Sequence, residues 1–202
     1  MRSISFQIVR YSQYVSRVLH TGVSSRQKNK LAILEHLFCV VNDFLHRSGS
    51  TYWITYGTLL GHVRDRALMP HDQDIDFALP VREYDGIIGS ARRLPVGFSL
   101  HDSSRYHNGP KLYISYKGYD ADLYFFRDAG ENLQSCERDK NNSRYMLPVD
   151  RHLILPVRPA IFLGHETFVP AQADQYLSFV YGYTGADAKF NRVTHFWEKT
   201  PV

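Results

Sequence analysis

Apolar residues recur at three- and four-residue steps in four stretches of the chain, which is the period of an amphipathic helix. The first stretch predicts a helix within residues 1–25, and the second predicts one that begins at the capping pair Ser24-Ser25 and ends at Gly49. Residues 84–91 and 172–181 predict two further helices. The stripe of the second helix, which we expect to face the core, is Leu31, Leu34, Phe38, Val41 and Leu45.

Stretches rich in β-branched and aromatic residues predict strands. Lys117-Gly118 predicts a hairpin turn between two of them, whereas residues 127–152 are polar and predict a long irregular connection. Strands mixed with helices in this way predict an α+β (or α/β) fold with a mixed sheet flanked by helices. The predicted strands are 52–56, 72–79, 96–100, 111–116, 119–126 and shorter ones around Ile154 and Phe162.

Composition narrows the class of protein. A chain of 202 residues with 44% hydrophobic content can bury the core of one full domain, and no stretch approaches the ~18 apolar residues of a membrane span. A net charge of +4 does not indicate a polybasic nucleic-acid binder. The two cysteines, Cys39 and Cys136, lie in unrelated settings, which argues against a disulfide framework or a zinc knuckle and favours a cytoplasmic location.

Positive charge is concentrated at the start of the chain, because residues 1–34 contain six basic residues and no acidic one. We expect the helix within residues 1–25 to pack on the domain. The alternative is peripheral contact with anionic lipid through residues 1–20, at the cytoplasmic face of a membrane. The predicted organisation is therefore an N-terminal helix (1–25), a catalytic domain (26–185) and a loose C-terminal tail (186–202).

Three carboxylates, Asp72, Asp74 and Asp76, occupy every second position of a predicted strand. On an extended strand they would share one side, because successive side chains alternate, and Ile75 and Phe77 would face the core. An acidic face of this kind repels itself unless cations bind there, and oxygen-only ligands suit Mg²⁺ or Mn²⁺. The pattern predicts a metal-dependent enzyme that acts on phosphates.

Two further features extend this prediction. Gly57-Thr58 falls between a predicted strand and a short helix, where backbone amides can approach a phosphate and the helix N-terminus adds favourable partial charge. Asp120 and Asp122 alternate with apolar residues on a later strand, and Asp122 is the candidate third carboxylate. A small-residue turn followed by an Asp-x-Asp strand and a third strand carboxylate resembles the pattern of polymerase-β-type nucleotidyltransferases.

Five stretches carry a closer resemblance. They are Tyr56-Gly57-Thr58-Leu59-Leu60-Gly61-His62-Val63-Arg64, Pro70-His71-Asp72-Gln73-Asp74-Ile75-Asp76, Phe168-Val169-Pro170, Tyr176-Leu177 and Tyr181-Gly182. On these residues the chain is similar to the LicD/fukutin-related family, over roughly residues 30–185. His71 and Gln73 depart from the family pattern, which commonly has Trp and a further acid there, but no candidate metal-binding carboxylate is lost.

The resemblance implies a nucleotidyltransferase-type fold and transfer of a phosphorylated group, such as phosphocholine or ribitol phosphate. The implied donor is nucleotide-activated and CDP-linked, the acceptor is a glycan or glycolipid hydroxyl, and the cofactor is Mg²⁺ or Mn²⁺. Asp74, Asp76 and Asp122 would be catalytic and bind the metal, with Asp72 either a further ligand or just outside the coordination. The expected contacts to the donor phosphates are Gly57, Thr58, Arg64 and Lys111.

Two alternatives stay open. A glycosyltransferase that uses a nucleotide-sugar would explain Asp74 and Asp76, but not Gly57-Thr58 or Asp122. A non-catalytic glycan-binding module on the same fold would not need the carboxylates intact. A transferase that acts on nucleic acid is disfavoured, since no separate basic domain is present to follow a strand. The donor headgroup, the acceptor and the oligomeric state are left open by the sequence.

Overall fold

The computed structural model describes residues 25–137, 147–192, 194 and 196–200. These residues form one mixed sheet of seven strands and six α-helices. The strands of the sheet are β1 (Trp53–Ile54), β2 (Asp74–Pro80), β3 (Ser99–Asp102), β4 (Lys111–Tyr116), β5 (Tyr119–Ala129), β6 (Asn132–Ser135) and β7 (Val149–Asp150). The helices are α1 (Ser25–Arg47), α2 (Tyr56–Arg64), α3 (Tyr84–Ser90), α4 (Ser104–His107), α5 (Arg151–Ile154) and α6 (Ala173–Tyr181).

Two short hairpins complete the described elements. One consists of β8 (Arg158–Phe162) and β9 (His165–Val169), and the other of β10 (Ala188–Asn191) and β11 (Phe196–Lys199). Two 3-10 turns, Val81–Glu83 and Ala91–Arg93, flank α3. None of the helices in this part of the chain is long and apolar enough to cross a bilayer.

The main sheet runs in the order β1-β2-β5-β4-β3, with β6 paired to β5 and β7 paired to β6. Strands β2 and β5 are parallel, and the other pairs are antiparallel. This mixture of a parallel pair with antiparallel neighbours confirms the predicted α+β class. The parallel pair matters most for function, because it sets two acidic strands side by side in the centre of the sheet.

The core lies on the face of the sheet covered by α1. Leu34, Phe38 and Val41 follow the helical period and are fully buried, as is Phe77 of β2. The rings of Phe38 and Phe77 stack with centroids 5.7 Å apart. Burying each such side chain stabilises the fold by about 2 kcal/mol. The opposite face of β2 and β5, which carries the carboxylates, is left to the functional site.

The β4–β5 hairpin confirms the turn predicted from Lys117-Gly118. Both residues have positive φ, 50° and 80°, as a two-residue hairpin turn of the primed type requires. Predicted helices also match α1, α3 and α6, within the usual few residues at their ends. Strand β4 has the predicted bounds.

The prediction of a long irregular connection over 127–152 was wrong for the residues that the structure describes there. Strand β5 continues to Ala129, Gly130 turns the chain with φ 72°, and β6 returns with Leu133 in the core. The sequence around Ile154 forms the helical turn α5, not a strand, because Asp150 caps it by accepting a hydrogen bond from the His152 N–H at 2.8 Å.

The prediction of a loose tail over 186–202 was also wrong, because strands β10 and β11 pair there. Phe190 and Trp197 stand opposite each other in the register, with ring centroids 5.4 Å apart, and such cross-strand aromatic pairs stabilise a hairpin. The helix predicted within 1–25, including the membrane contact proposed for 1–20, lies outside the described residues. The division into 1–25, 26–185 and 186–202 stays a prediction.

Candidate functional site

The start of helix α2 is fastened to the acidic strand β2 by two reciprocal hydrogen bonds. The Thr58 N–H donates to Asp76 Oδ2 at 3.3 Å, and the Asp76 N–H donates to Thr58 Oγ1 at 2.8 Å. Both residues are buried. Because helix α2 begins at Tyr56, Gly57 and Thr58 lie in its first turn, not in a turn before it. The two hydrogen bonds mean that Thr58 holds the Asp76 carboxylate in place.

Gly57 keeps open the space between this helix and the carboxylates. A Cβ atom at this position would lie 3.2 Å from Asp76 Oδ2 and 3.6 Å from Asp72 Oδ1. Any side chain would crowd the Asp76 oxygen, so the lack of one preserves access from the helix N-terminus to the acidic strand. That this space admits the donor phosphates stays a prediction.

The register of β2 and β5 brings the three candidate carboxylates together. Asp74 pairs with Asp120, and Asp76 pairs with Asp122. One carboxylate oxygen from each of Asp74, Asp76 and Asp122 lies within 4.8 Å of the others. Among the described residues, these three form the single cluster of His, Cys, Asp or Glu ligands that could hold a metal ion.

The electrostatics of the cluster favour a bound cation. Burial, and then repulsion from Asp74 and Asp122, raises the pKa of Asp76 well above its usual range. Burial, and then repulsion from Asp122, also raises the pKa of Asp74. Ligand oxygens lie about 2.1 Å from Mg²⁺, so two oxygens on one ion are at most about 4 Å apart, and oxygens within 4.8 Å of one another need only a small adjustment to share an ion. The three oxygens therefore fit a hard divalent cation in number, chemistry and spacing.

Asp122 is supported by Lys111 of the neighbouring strand β4 and by Tyr124 of its own strand β5. The Lys111 ammonium and the Tyr124 hydroxyl both donate to Asp122 Oδ2 at 3.0 Å. The same ammonium lies 3.1 Å from the centre of the Tyr124 ring and 4.0 Å from Glu137 Oε2. Lys111 is buried, so its charge offsets part of the negative charge of the cluster at short range.

Asp72 lies beside the cluster but not on the strand, which corrects the prediction of three carboxylates on one extended segment. Strand β2 begins at Asp74, and Asp72 closes a turn in which its Oδ2 accepts from the Met69 N–H at 3.2 Å. The buried Lys30 ammonium holds this turn by donating to the carbonyl oxygens of Pro70 and Asp72, at 2.9 and 2.6 Å. Burial raises the pKa of Asp72 as well.

Arg64 is at the opposite end of α2 from the cluster. Its guanidinium forms an ion pair with Asp65, with Nη2 and Oδ2 2.8 Å apart. The seven helical steps from Gly57 to Arg64 span roughly 10 Å. The structure thus groups Gly57, Thr58 and Lys111 with the carboxylates and places Arg64 apart from them.

Sequence reasoning missed three residues that shape the site. Lys30 acts across 40 residues of chain, and its position beside an apolar stripe gave no signal of its own. Glu137 pairs with His107 at 2.8 Å and carries no motif. Tyr124 did have a signal, because it follows Asp120 and Asp122 on the same face of an alternating strand.

Solved structures show similar folds at low identity. One is ANT(2")-Ia in complex with adenylyl-2"-tobramycin, with a TM-score of 0.46 and 11% identity over 67% of this chain and 68% of that one. Another is the lincosamide antibiotic adenylyltransferase LnuA, lincomycin-bound, with a TM-score of 0.45 and 12% identity over 86% of this chain and 92% of that one. No curated protein matches the sequence.

The family comparison is decisive. Residues 49–172 match the family described as LicD/FKTN/FKRP, nucleotidyltransferase domain. The matched segment covers more than half of the chain and contains the start of α2, the turn with Asp72, and all three clustered carboxylates. An acidic triad of this kind is typical of nucleotidyltransferases that use a divalent metal. The chain belongs to the LicD/FKTN/FKRP nucleotidyltransferase-domain family.

Proposed function

We propose that the protein is a divalent-metal-dependent phosphotransferase that moves a phospho-substituent from a CDP-linked donor to a hydroxyl of a glycan or glycolipid. The observation that carries the proposal is the convergence of Asp74, Asp76 and Asp122 within 4.8 Å beside the first turn of α2. Family membership supports a nucleotide-type substrate. The substituent, phosphocholine, ribitol phosphate or a similar group, is part of the proposal.

Asp74 and Asp76 would hold Mg²⁺ or Mn²⁺, and Asp72 in the adjoining turn would contribute an oxygen or a water-mediated contact. When bound, the cation would neutralise charge on the donor pyrophosphate and on the transferred phosphate. Thr58 would keep the Asp76 carboxylate in one orientation through its two hydrogen bonds. The backbone at Gly57 would let the donor phosphates approach the helix N-terminus.

Asp122 is the proposed proton acceptor. In the step we propose, the acceptor oxygen bonds to phosphorus, the bond from that phosphorus to the leaving nucleotide breaks, and the hydroxyl proton passes to the carboxylate. The hydrogen bonds that Asp122 receives from Lys111 and Tyr124 both end on Oδ2, which leaves Oδ1 for the cation or the proton. Lys111 would hold this geometry and add positive charge near the transferred phosphate. Arg64 is left out of the proposed step, because it lies at the other end of α2 and is paired with Asp65.

A thermal-shift panel tests the proposal. CDP-choline, CDP-ribitol, CDP-glycerol and CDP-ethanolamine, each with and without Mg²⁺ or Mn²⁺, are compared with UDP- and GDP-sugars. A ligand at 100 times its Kd stabilises the native state by about 2.7 kcal/mol, or roughly 5–10 °C in Tm for a chain of this size. We expect a metal-dependent shift with one CDP compound, followed by release of CMP when the acceptor is added.

The Asp74→Asn, Asp76→Asn double variant is expected to lose this shift. Asp85→Asn, which changes an exposed acid on α3, is the matched control and should keep it. A shift with UDP- or GDP-sugars alone would contradict transfer from a CDP donor and favour glycosyl transfer. No shift with any metal or nucleotide would contradict an enzymatic role and favour a glycan-binding module.

A further inference from the structure

An aromatic stack stands on the carboxylate side of the sheet, beyond the residues used in the proposed reaction. His101 of β3 and Tyr113 of β4 are paired in the register, and their rings are nearly parallel, with an angle of 15° and centroids 4.7 Å apart. This separation matches the distance between neighbouring strands, so the rings stand side by side on the sheet. His101 is exposed and Tyr113 is half-buried, so the stack is open to solvent.

The stack borders the acidic cluster. Tyr113 pairs directly with Asp122, and the next pair along the same two strands is Ser115 with Asp120. Directly paired residues project from the same face of a sheet, so these four side chains share the open face while Leu112 fills the core. Since His101 covers one face of the Tyr113 ring, the other face is turned over β5 and its carboxylates.

The position of the stack relative to α2 is equally informative. Strand β5 lies between β2 and β4, so the start of α2 borders the cluster from one edge and Tyr113 borders it from the other. In an in-line displacement, the attacking and leaving groups lie on opposite sides of the phosphorus. With the donor phosphates at the start of α2, the attacking hydroxyl would arrive from the side of Tyr113.

We infer that His101, Tyr113, Ser115 and Asp120 form a subsite for one uncharged sugar ring of the acceptor. The inference rests on the proposed function for its orientation, but not for the existence of the site. The apolar C–H face of a pyranose would pack on the face of the Tyr113 ring opposite His101. Its hydroxyls would donate to the Asp120 carboxylate and exchange hydrogen bonds with Ser115, whose hydroxyl is held 2.9 Å from His101 Nε2.

The chemistry of the subsite favours a sugar over the other parts of the substrates. Asp120 accepts hydrogen bonds and carries negative charge, which suits a ring bearing several hydroxyl donors and disfavours a phosphate. A pyrimidine base offers few donors to a carboxylate and a hydroxyl placed side by side. The distance along β5 from Asp120 to Asp122 is roughly 7 Å, about the length of one hexose. A ring bound at Asp120 could therefore present a second hydroxyl at Asp122.

Saturation-transfer difference NMR on the full chain tests the subsite without donor or metal. The probes are the methyl glycosides of galactose, glucose and N-acetylglucosamine, with CMP as the comparison ligand. An aromatic contact of this kind changes affinity by roughly two- to tenfold. We expect Tyr113→Ala to weaken one glycoside by that factor and Tyr113→Phe to retain it. Tyr106→Ala, an aromatic 84% exposed on α4, is the control and should leave binding unchanged.

His101→Ala removes an exposed side chain that supports the ring, so it keeps the test decisive if Tyr113→Ala does not fold. The inference is overturned if no glycoside binds the unmodified chain. It is also overturned if Tyr106→Ala weakens glycoside binding as much as the changes at Tyr113 or His101, or if those changes weaken the binding of CMP and not of a glycoside. The thermal shift with CDP compounds is recorded on the same variants. If that shift is absent while a glycoside depends on Tyr113, the proposed function fails and the sugar subsite stands.

Discussion

Gly61 in α2 offers a sharp test of how the site is built. The segment after the helix folds back on this residue, whose carbonyl oxygen accepts from the N–H groups of Asp65 at 3.0 Å and Ala67 at 3.3 Å. A Cβ atom at position 61 would lie 2.5 Å from the Ala67 carbonyl oxygen. This contact is with backbone, so no side-chain rotation can relieve it. Gly61→Ala must push apart the helix and the segment that leads to Asp72.

The expected effect follows from two opposing contributions. Replacing glycine by alanine inside a helix raises the free energy of unfolding by about 1 kcal/mol where the methyl group fits. Forcing an extra methyl group into closed packing costs about 1–3 kcal/mol, and a clash with backbone belongs at the upper end. We therefore expect Gly61→Ala to lower the free energy of unfolding by about 2 kcal/mol. For a chain of this size that corresponds to a fall in Tm of roughly 4–8 °C.

Gly86→Ala is the matched control, because Gly86 is exposed on helix α3 and a Cβ there meets no atom within 4 Å. It should raise the free energy of unfolding by up to about 1 kcal/mol. Urea unfolding followed by circular dichroism gives both values. The reasoning is refuted if Gly61→Ala is as stable as the unmodified chain. It is also refuted if the two alanine variants change stability in the same direction.

Three further predictions concern single side chains. Lys30→Met should lose about 2 kcal/mol of unfolding free energy in urea, because the carbonyl oxygens of Pro70 and Asp72 lose a charged donor, whereas Lys28→Met should not. Tyr124→Phe should weaken Mn²⁺ binding about tenfold by calorimetry, since Asp122 loses a hydrogen bond; unchanged affinity would contradict that role. Burial raises the pKa of Glu35 from 4.5 to about 7. Below pH 4.5 the side chain is protonated in both states and stability is at its full value, and that stability is lost as the pH rises through 7 and the buried carboxyl ionises. Glu35→Gln should therefore gain at most about 1 kcal/mol relative to the unmodified chain at pH 8, after allowance for solvent screening, and nothing at pH 4; an equal effect at both pH values would contradict this.

Much of the sheet and of the acidic cluster could be predicted because both depend on local alternation. Asp74 and Asp76 alternate with core residues, as do Asp120 and Asp122, so each pair had to share one face of its strand. The parallel pairing of β2 with β5, which brings the two pairs together, is a long-range contact that no local pattern encodes. The family resemblance supplied that link before the structure did.

Asp72 shows where alternation failed. Aspartate side chains compete with strand formation by bonding to nearby backbone, and Asp72 bonds to the Met69 N–H three residues earlier. Lys30 then holds the turn from a helix 40 residues away. The aromatic stack of His101 and Tyr113 was beyond prediction for a related reason. It needs β3 and β4 in one register, and the predicted strand at 96–100 ended before His101, whereas β3 extends to Asp102.

The balance of charge at the cluster gives the strongest argument for its role. Three carboxylates are held together by the strand register. Apart from bonds within the strands, the hydrogen bonds described for them come from the Lys111 ammonium, the Tyr124 hydroxyl and the Thr58 backbone N–H. Burial, and then repulsion that these bonds only partly offset, leaves the pKa of both Asp74 and Asp76 raised. A cluster built for stability alone would gain from replacing a carboxylate by a neutral side chain, because burying like charges is costly. Asp74→Asn should therefore make the protein more stable without metal and less able to bind it. A variant that lost stability under both conditions would show that the carboxylate serves the fold and not a cation.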